Sequence, residues 1–314
     1  MDKLLFAKIR EYKTIIIHRH SRPDLDALGS QLGLAKTLKH TYPDKNIYCV
    51  GDSSVKYGFL GQMDSIEDSV YENALAIICD VAVTHMVSDD RYKLAKEVFV
   101  IDHHKNDCDI TNNHIVDTTR VAAAEFIAYL LNENGYNIPS DAATCLYGGM
   151  VTDSGRFLYG HNLDNTFKIA ALLISSGADA KYIYDNIYVE TLEDRQMKNY
   201  FSNKVEIKSG VAYLKNTHEV FIKYPREFND ISRGMLSVMS GIEEIKIWLN
   251  FTYDINKDAV IGEFRSRSIP IVDIAKKYGG GGHLLACGAT LKDWEEVDNA
   301  INDFIELLNS KEDN

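Results

Sequence analysis

The chain has 314 residues, 45% hydrophobic and 25% charged, which is the make-up of a folded globular protein with room for two domains. Acids outnumber Lys and Arg by 46 to 34, and the net charge of −12 argues against a broad phosphate-gripping surface for long duplex DNA, though not against a small anion held by local cations. Five cysteines without a Cys-x-x-Cys argue against a disulfide framework and fit a reducing cytoplasm, the opening MDKLLFAKIREYK is too densely charged for a signal peptide, and no apolar run reaches the ~18 residues that span a bilayer.

The first half alternates strand-like and helix-like signals. TIIIHRH (14–20) is a short β-branched run, and after it Leu28, Leu32, Ala35 and Leu38 recur at helical spacing. NIYCVGD (46–52), ALAIICDVA (74–82) and EVFVIDHH (97–104) read as further strands, nearly continuous in apolar residues as parallel strands buried on both faces are. Ala124, Ile127, Ala128 and Leu131 mark another helix, and SDAATCLYGGM (140–150) opens a third with Ser140 as its cap. The alternation predicts a doubly wound, mainly parallel α/β domain over 1–186. KYIYDNIYVETLEDRQMKNYF, Tyr-rich and without Gly or Pro, reads as a helical connector, placed at 187–206. Beyond it come a strand GVAYLK, a helix around SRGMLSVMSGI, strands IKIWLNFTYD and AVIGEFRSR, and a helix IPIVDIAKKYG. A closing helix carries Val297, Ala300, Ile301, Phe304 and Leu308, which completes a smaller α/β domain over 207–314.

Four stretches place acids or histidines at the C-terminal ends of predicted strands. They are HSRPDLDALGS, with His20, Asp24 and Asp26; IICDVA, with Asp80; the triplet Asp102-His103-His104; and YGGMVTDSGRF, with Asp153. In open α/β sheets ligands bind in the crevice beyond those ends. Alone, each acid has an ordinary reading, as a helix cap, a strand-end cap or a turn residue. A calcium loop starting at Asp24 is excluded, because Leu28 and Ala35 would stand at its fifth and twelfth positions. Together the acids pose a problem, since two unit charges 4 Å apart repel by ~4 kcal/mol at an effective dielectric of 20. Either they protonate or divalent cations neutralise them, and the interspersed imidazoles favour cations. A carboxylate–imidazole set with no thiolate among it predicts two manganese ions, with iron, cobalt or zinc as substitutes.

YGGGGH (278–283) is neither a P-loop, because no Gly-Lys-Ser/Thr follows, nor a dinucleotide fingerprint, because it follows a helix-like segment. Consecutive glycines can turn their backbone N–H groups toward one anion, and FRSRS brings Arg265 and Arg267 nearby in sequence. The plainer reading is a helix C-cap with an incidental His283.

On these motifs the chain resembles the DHH phosphoesterase family, named for the triplet found here at 102–104, and the resemblance runs from about residue 14 to 290. FRSRS and YGGGGHLLACGA are similar to the DHH-associated domain. Among branches the chain is most similar to the bacterial nano-RNase and pAp phosphatase group, where pAp is adenosine 3′,5′-bisphosphate and close relatives hydrolyse cyclic di-AMP or linear pApA. The resemblance implies a two-metal phosphodiesterase in which His20 and Asp24 hold one manganese, Asp26, His103 and Asp153 hold the other, and Asp80 bridges. It places His104 beside the attacked phosphate and makes Asp102 the residue that orients a neighbouring histidine. Arg265, Gly281, Gly282 and His283 become the grip on the substrate's terminal phosphate or base; Arg267 stays open. The implied substrates are very short RNA oligonucleotides, dinucleotides and pAp, with a cyclic di-AMP or pApA phosphodiesterase as the alternative, no membrane and no long duplex DNA as partners, a cytoplasmic setting, and a homodimer left open. One loop departs from the family pattern: after Asp80, Val83 stands where relatives often have asparagine, and Met86 falls near where they have arginine, with His85 adjacent. An inorganic pyrophosphatase shares the first motifs, but the glycine–histidine run argues against it. A catalytically silent nucleotide sensor is disfavoured by the complete ligand set.

Overall fold

The structure, a computed structural model, describes residues 1–105, 107–160 and 162–312 and divides into two compact units at Val189/Glu190. The first contains α1 (Asp2–Glu11), β1 (Thr14–His18), α2 (Leu25–Thr41), β2 (Asn46–Cys49), β3 (Leu75–Cys79), β4 (Glu97–Asp102), β5 (His114–Val116), α3 (Ala123–Glu133), α4 (Ser140–Asp153), α5 (Leu163–Ser175) and α6 (Ala180–Tyr188). Its five strands pair in the order β2-β1-β3-β4-β5, all parallel. Their continuous apolar runs follow from burial on both faces: every residue of β3 is buried. Ile15, Ile17, Ile77, Phe99 and Ile101 pack with residues of α1 to α4 on one face. On the other, Ile16, Ala76, Ile78 and Val100 lie under residues of the 3₁₀ turns Asp68–Tyr71 and Asp90–Leu94. The chain winds from β1 out to β2 and then back across to β3, so the order reverses between β1 and β3. Side chains following those two strands therefore flank the switch point, where such sheets bind ligands.

Asp153 corrects an expectation. It ends a helix, α4, and not a strand. The apolar GGMV run lacks helical amphipathicity because α4 is buried against α2, α3 and α6. Its small residues permit very close helix approach: a Cβ on Gly149 would stand 2.7 Å from both the Ala124 Cβ and the Asp26 Oδ1, and one on Gly29 of α2 would stand 2.4 Å from the Cys145 carbonyl. Ser140 is also not the cap. It is the first helical residue, behind Pro139, and its side chain makes no capping bond.

The second unit runs through α7 (Leu192–Ser202), β6 (Glu206–Lys208), β7 (Val211–Asn216), α8 (Glu219–Lys223), α9 (Phe228–Ser232), β8 (Ile247–Asp254), β9 (Ala259–Ser266), α10 (Val272–Lys277), β10 (Gly281–His283), β11 (Ala286–Leu291) and α11 (Trp294–Glu312). Its sheet is mixed, in the order β10-β11-β9-β8-β7-β6, and only β7–β8 are parallel. The segment expected as a connector over 187–206 is not free-standing. It breaks between α6 and α7, and Met197 and Phe201 of α7 are buried with Leu214, Met235 and Leu236 in a core of the second unit. The helix expected around 232–242 is split into α9 and a 3₁₀ turn, Gly234–Val238. Among the described residues no helix is long and apolar enough to cross a membrane.

Candidate active site

Four short connections deliver the acids and imidazoles to one place. His20 follows β1 and is fixed by backbone pairing with the loop after β3: His20 bridges Val87, and the Ser21 N–H donates to the Met86 carbonyl at 2.7 Å. Asp24 is the N-cap of α2, accepting from the Ala27 N–H at 2.9 Å. Asp26 lies in the first turn of that helix, and its two oxygens accept the Ala123 and Ala124 N–H groups at 2.7 and 2.9 Å, where α3 begins. Asp80 follows β3 with φ = 60°, a left-handed backbone rare for a residue with a Cβ. Asp153 ends α4, and the chain turns away through left-handed Gly155, Arg156 and Phe157.

The two oxygens of Asp80 face different neighbours. Oδ2 lies 3.4 Å from His20 Nε2, which is 3.7 Å from Asp24 Oδ1. Oδ1 lies 3.5 Å from His103 Nε2, which is 3.4 Å from Asp153 Oδ2 and 3.8 Å from Asp26 Oδ2. Three three-residue groups have donor atoms close enough to hold an ion: His20–Asp24–Asp80 and Asp26–His103–Asp153, one on either side of Asp80, and Asp80–His103–His104, which overlaps the second and whose His104 Nδ1 is already turned to Asp102. Two other features fit that use. The Nδ1 atoms of His20 and His103 are turned to the Ser21 and Arg120 carbonyls at 2.8 and 3.2 Å; with the proton on Nδ1, each Nε2 presents a lone pair to the crevice. The buried Asp80 Oδ1 and His103 Nε2 have no hydrogen-bond partner among the described residues, which is unfavourable unless a cation satisfies them.

Without cations, the cluster's charge would have to be met by protons. Burial would depress His20, but Asp24 and Asp80 raise it to about 10. Burial pushes Asp26 well up, helped by the charges of Asp80 and Asp153, and raises Asp80. Burial also lifts Asp153 to about 6 against the pull of His103. Divalent cations would displace these protons and neutralise the same carboxylates.

Asp102 is fully buried, and its Oδ1 accepts from the His103 and His104 N–H groups and contacts His104 Nδ1 at 2.8 Å. That bond raises His104 to about 9, and His104 remains half exposed. Its Nε2 is thus available as a proton donor. The departing loop after Asp80 forms a 3₁₀ turn, Thr84–Met86, and the Met86 side chain is exposed; the backbone of this loop, rather than a side chain at 86, is what clasps Ser21.

Glu125 was not assigned from sequence. It is a fully buried carboxylate that accepts from Val121 N–H, Thr166 Oγ1 and Arg120 Nη1 at 3.0, 3.1 and 3.1 Å. It thereby shapes the loop that offers the Arg120 carbonyl to His103 and the helix start to Asp26. A lone acid inside the apolar run VAAAEFIAYLL was the available signal.

In the second unit, Arg265, Gly281, Gly282 and His283 all line an open cleft of about 590 Å³. The glycine run has three local duties. Gly279, at φ = 71°, terminates α10; Gly280 passes so close to β11 that a Cβ would stand 2.0 Å from the Gly288 carbonyl; Gly281 begins edge strand β10. Arg267 lies beyond the end of β9, where its Nη2 donates to the Ile242 carbonyl at 2.6 Å, and it does not line the cleft.

Fold and motifs together define a hydrolase acting on phosphoester bonds. Residues 14–150 match the DHH family N-terminal domain, and residues 218–310 match the DHHA1 domain. The chain is 33% identical, over 99% of its own length and 100% of the relative's, to the bifunctional oligoribonuclease and PAP phosphatase NrnA of Bacillus subtilis (strain 168). It is 23% identical to the cyclic-di-AMP phosphodiesterase PdeA of Listeria monocytogenes, across 91% of this chain and 46% of that protein. An exopolyphosphatase-related protein from Bacteroides fragilis has the same fold, with a TM-score of 0.85 at 23% identity over 98% of this chain and 97% of that one. The chain belongs to the DHH family.

Proposed function

We propose that this protein is a manganese-dependent, two-metal phosphodiesterase that degrades very short RNA oligonucleotides and dephosphorylates pAp. The observation that carries the reading is the split of Asp80, one oxygen turned to His20 and Asp24 and the other to His103. His20, Asp24 and Asp80 would hold one ion; Asp26, His103, Asp153 and Asp80 would hold the other. When bound, such ions supply Lewis acidity to the phosphoryl oxygens and lower the pKa of an attacking water. The protein's own groups do the rest. His104, oriented by Asp102, donates a proton to a phosphoryl oxygen or the leaving oxygen. Arg265, Gly281, Gly282 and His283 hold the far end of the substrate. The similarity to NrnA supports this substrate class. The similarity to PdeA keeps a cyclic di-AMP or pApA phosphodiesterase as the second reading.

A panel of pAp, pApA, tri- to pentanucleotides and cyclic di-AMP, assayed with manganese, tests both readings. Turnover of short RNA and pAp that is abolished by Asp80→Ala is the expected result. A clear preference for the cyclic dinucleotide would favour the second reading, and full activity in the variant would remove the bridging role.

A further inference from the structure

The cleft of the second unit carries more organised charge than its motifs account for. On β9, Ile261, Glu263 and Arg265 share a face, while Phe264 points into the core against Phe251 and Phe304. The Glu263 side chain is 11% exposed, and each of its oxygens meets a different guanidinium group. Oε1 accepts from Arg233 Nε at 2.8 Å, and Oε2 lies 3.4 Å from Arg265 Nη2.

Arg233 reaches Glu263 from the end of α9, and its backbone is fixed there. Fully buried Asn250 stands directly across from Glu263 in the sheet and donates to the Ile231 and Ser232 carbonyls at 2.7 and 2.8 Å. Its own Oδ1 accepts from Asn216 at 2.7 Å. The Nη atoms of Arg233 have no partner among the described residues, and its side chain is 66% exposed. An arginine anchored through Nε keeps its Nη atoms for an oxyanion.

Two guanidinium groups around one place would repel each other, and Glu263 between them relieves that repulsion. With Lys257 also on the cleft wall, the local balance is positive in a chain whose net charge is −12. A terminal phosphomonoester, with about −1.5 to −2 charges near pH 7, matches such a pair of arginines, and an uncharged hydroxyl end does not. We propose that Arg233, positioned by Glu263, is a second arginine of the substrate grip, and that it selects substrates whose distal end carries a terminal phosphate. The proposal rests on the phosphodiesterase reading above.

Steady-state kinetics of the full chain on pApA and ApA with manganese test it. In the wild type, kcat/KM should favour pApA, and equal values for the two dinucleotides would overturn the proposal. Arg233→Ala should lower that preference about tenfold, the effect of one charge-assisted contact. Arg233→Lys should restore part of it, because lysine keeps the charge but not the fork. A preference in Arg233→Ala equal to the wild type's overturns the proposal. If the wild type cleaves neither dinucleotide, the phosphodiesterase reading fails by itself. The grip is then judged by calorimetry with pAp, where a Kd unchanged by Arg233→Ala overturns it as well.

Discussion

The crevice of the first unit and the cleft of the second solve opposite electrostatic problems. In the crevice, Asp26, Asp80 and Asp153 are crowded around His103 with no Lys or Arg among the described residues paired to them, and burial raises all three. In the cleft the charges are cationic and already balanced in part from within, by Glu263 between Arg233 and Arg265. The construction differs in the same way. The crevice draws its groups from four separated connections at a sheet's switch point, whereas cleft residues of β9, β10 and β11 belong to adjacent strands. A site short of positive charge is suited to recruit ions; one with an excess is suited to receive an anion. On the proposed function, the contrast corresponds to chemistry in the first unit and substrate selection in the second.

The sharpest way to break that contrast is at His104, which should affect chemistry and leave ion binding in place. His104→Asn should lower kcat on the order of 10²–10⁴-fold, as loss of a proton donor does. It should leave the manganese stoichiometry of the wild type intact; loss of an ion in this variant would move His104 into the ligand set. A smaller effect is expected at Gly149, whose substitution presses on Asp26. Gly149→Ala places a methyl 2.7 Å from Asp26 Oδ1, and about 10²-fold lower activity with a reduced Tm is expected. Wild-type activity and Tm would mean that α4 shifts freely and that the Asp26 position is not critical. The mildest probe is pH. Burial lifts Asp153 to about 6, so below that value protons compete for a carboxylate that an ion needs in its charged form. Protons on His20 and Asp26 already compete at neutral pH, and manganese affinity should weaken more steeply as pH falls through 6, where Asp153 takes up its own proton. Isothermal titration at pH 7 and pH 5 measures this, and an affinity that does not weaken at pH 5 would remove Asp153 from the ligand set. Phosphate selection, by contrast, should respond to Arg233 and not to any of these changes.

What the sequence revealed differs between the two regions for physical reasons. The strands of the first unit were legible because burial on both faces leaves unbroken apolar runs such as LAIIC, and a polar residue closing such a run stands out. Asp153 was legible as a candidate ligand but not as the end of a helix, because a helix buried on several sides loses its apolar stripe and its glycines resemble turn residues. The carbonyls of Ser21 and Arg120 that orient the imidazoles could not be read at all, since every residue carries one. Glu125 and Glu263 were both visible as single acids in apolar stretches. What they organise depends on Arg120, Thr166, Arg233 and Arg265, which only folding brings to them. The break between α6 and α7 was hidden because the Tyr-rich stretch offers no glycine or proline to mark it.

The central claim is that the acids and imidazoles of the first unit share two divalent ions through Asp80. The direct measurement is the number of manganese ions retained per chain, determined by metal analysis and titration on the wild type and on Asp80→Asn. Two ions in the wild type, with at least one lost in the variant, is the expected result. A wild type that binds no manganese, or a variant that keeps both ions at unchanged affinity, would contradict it.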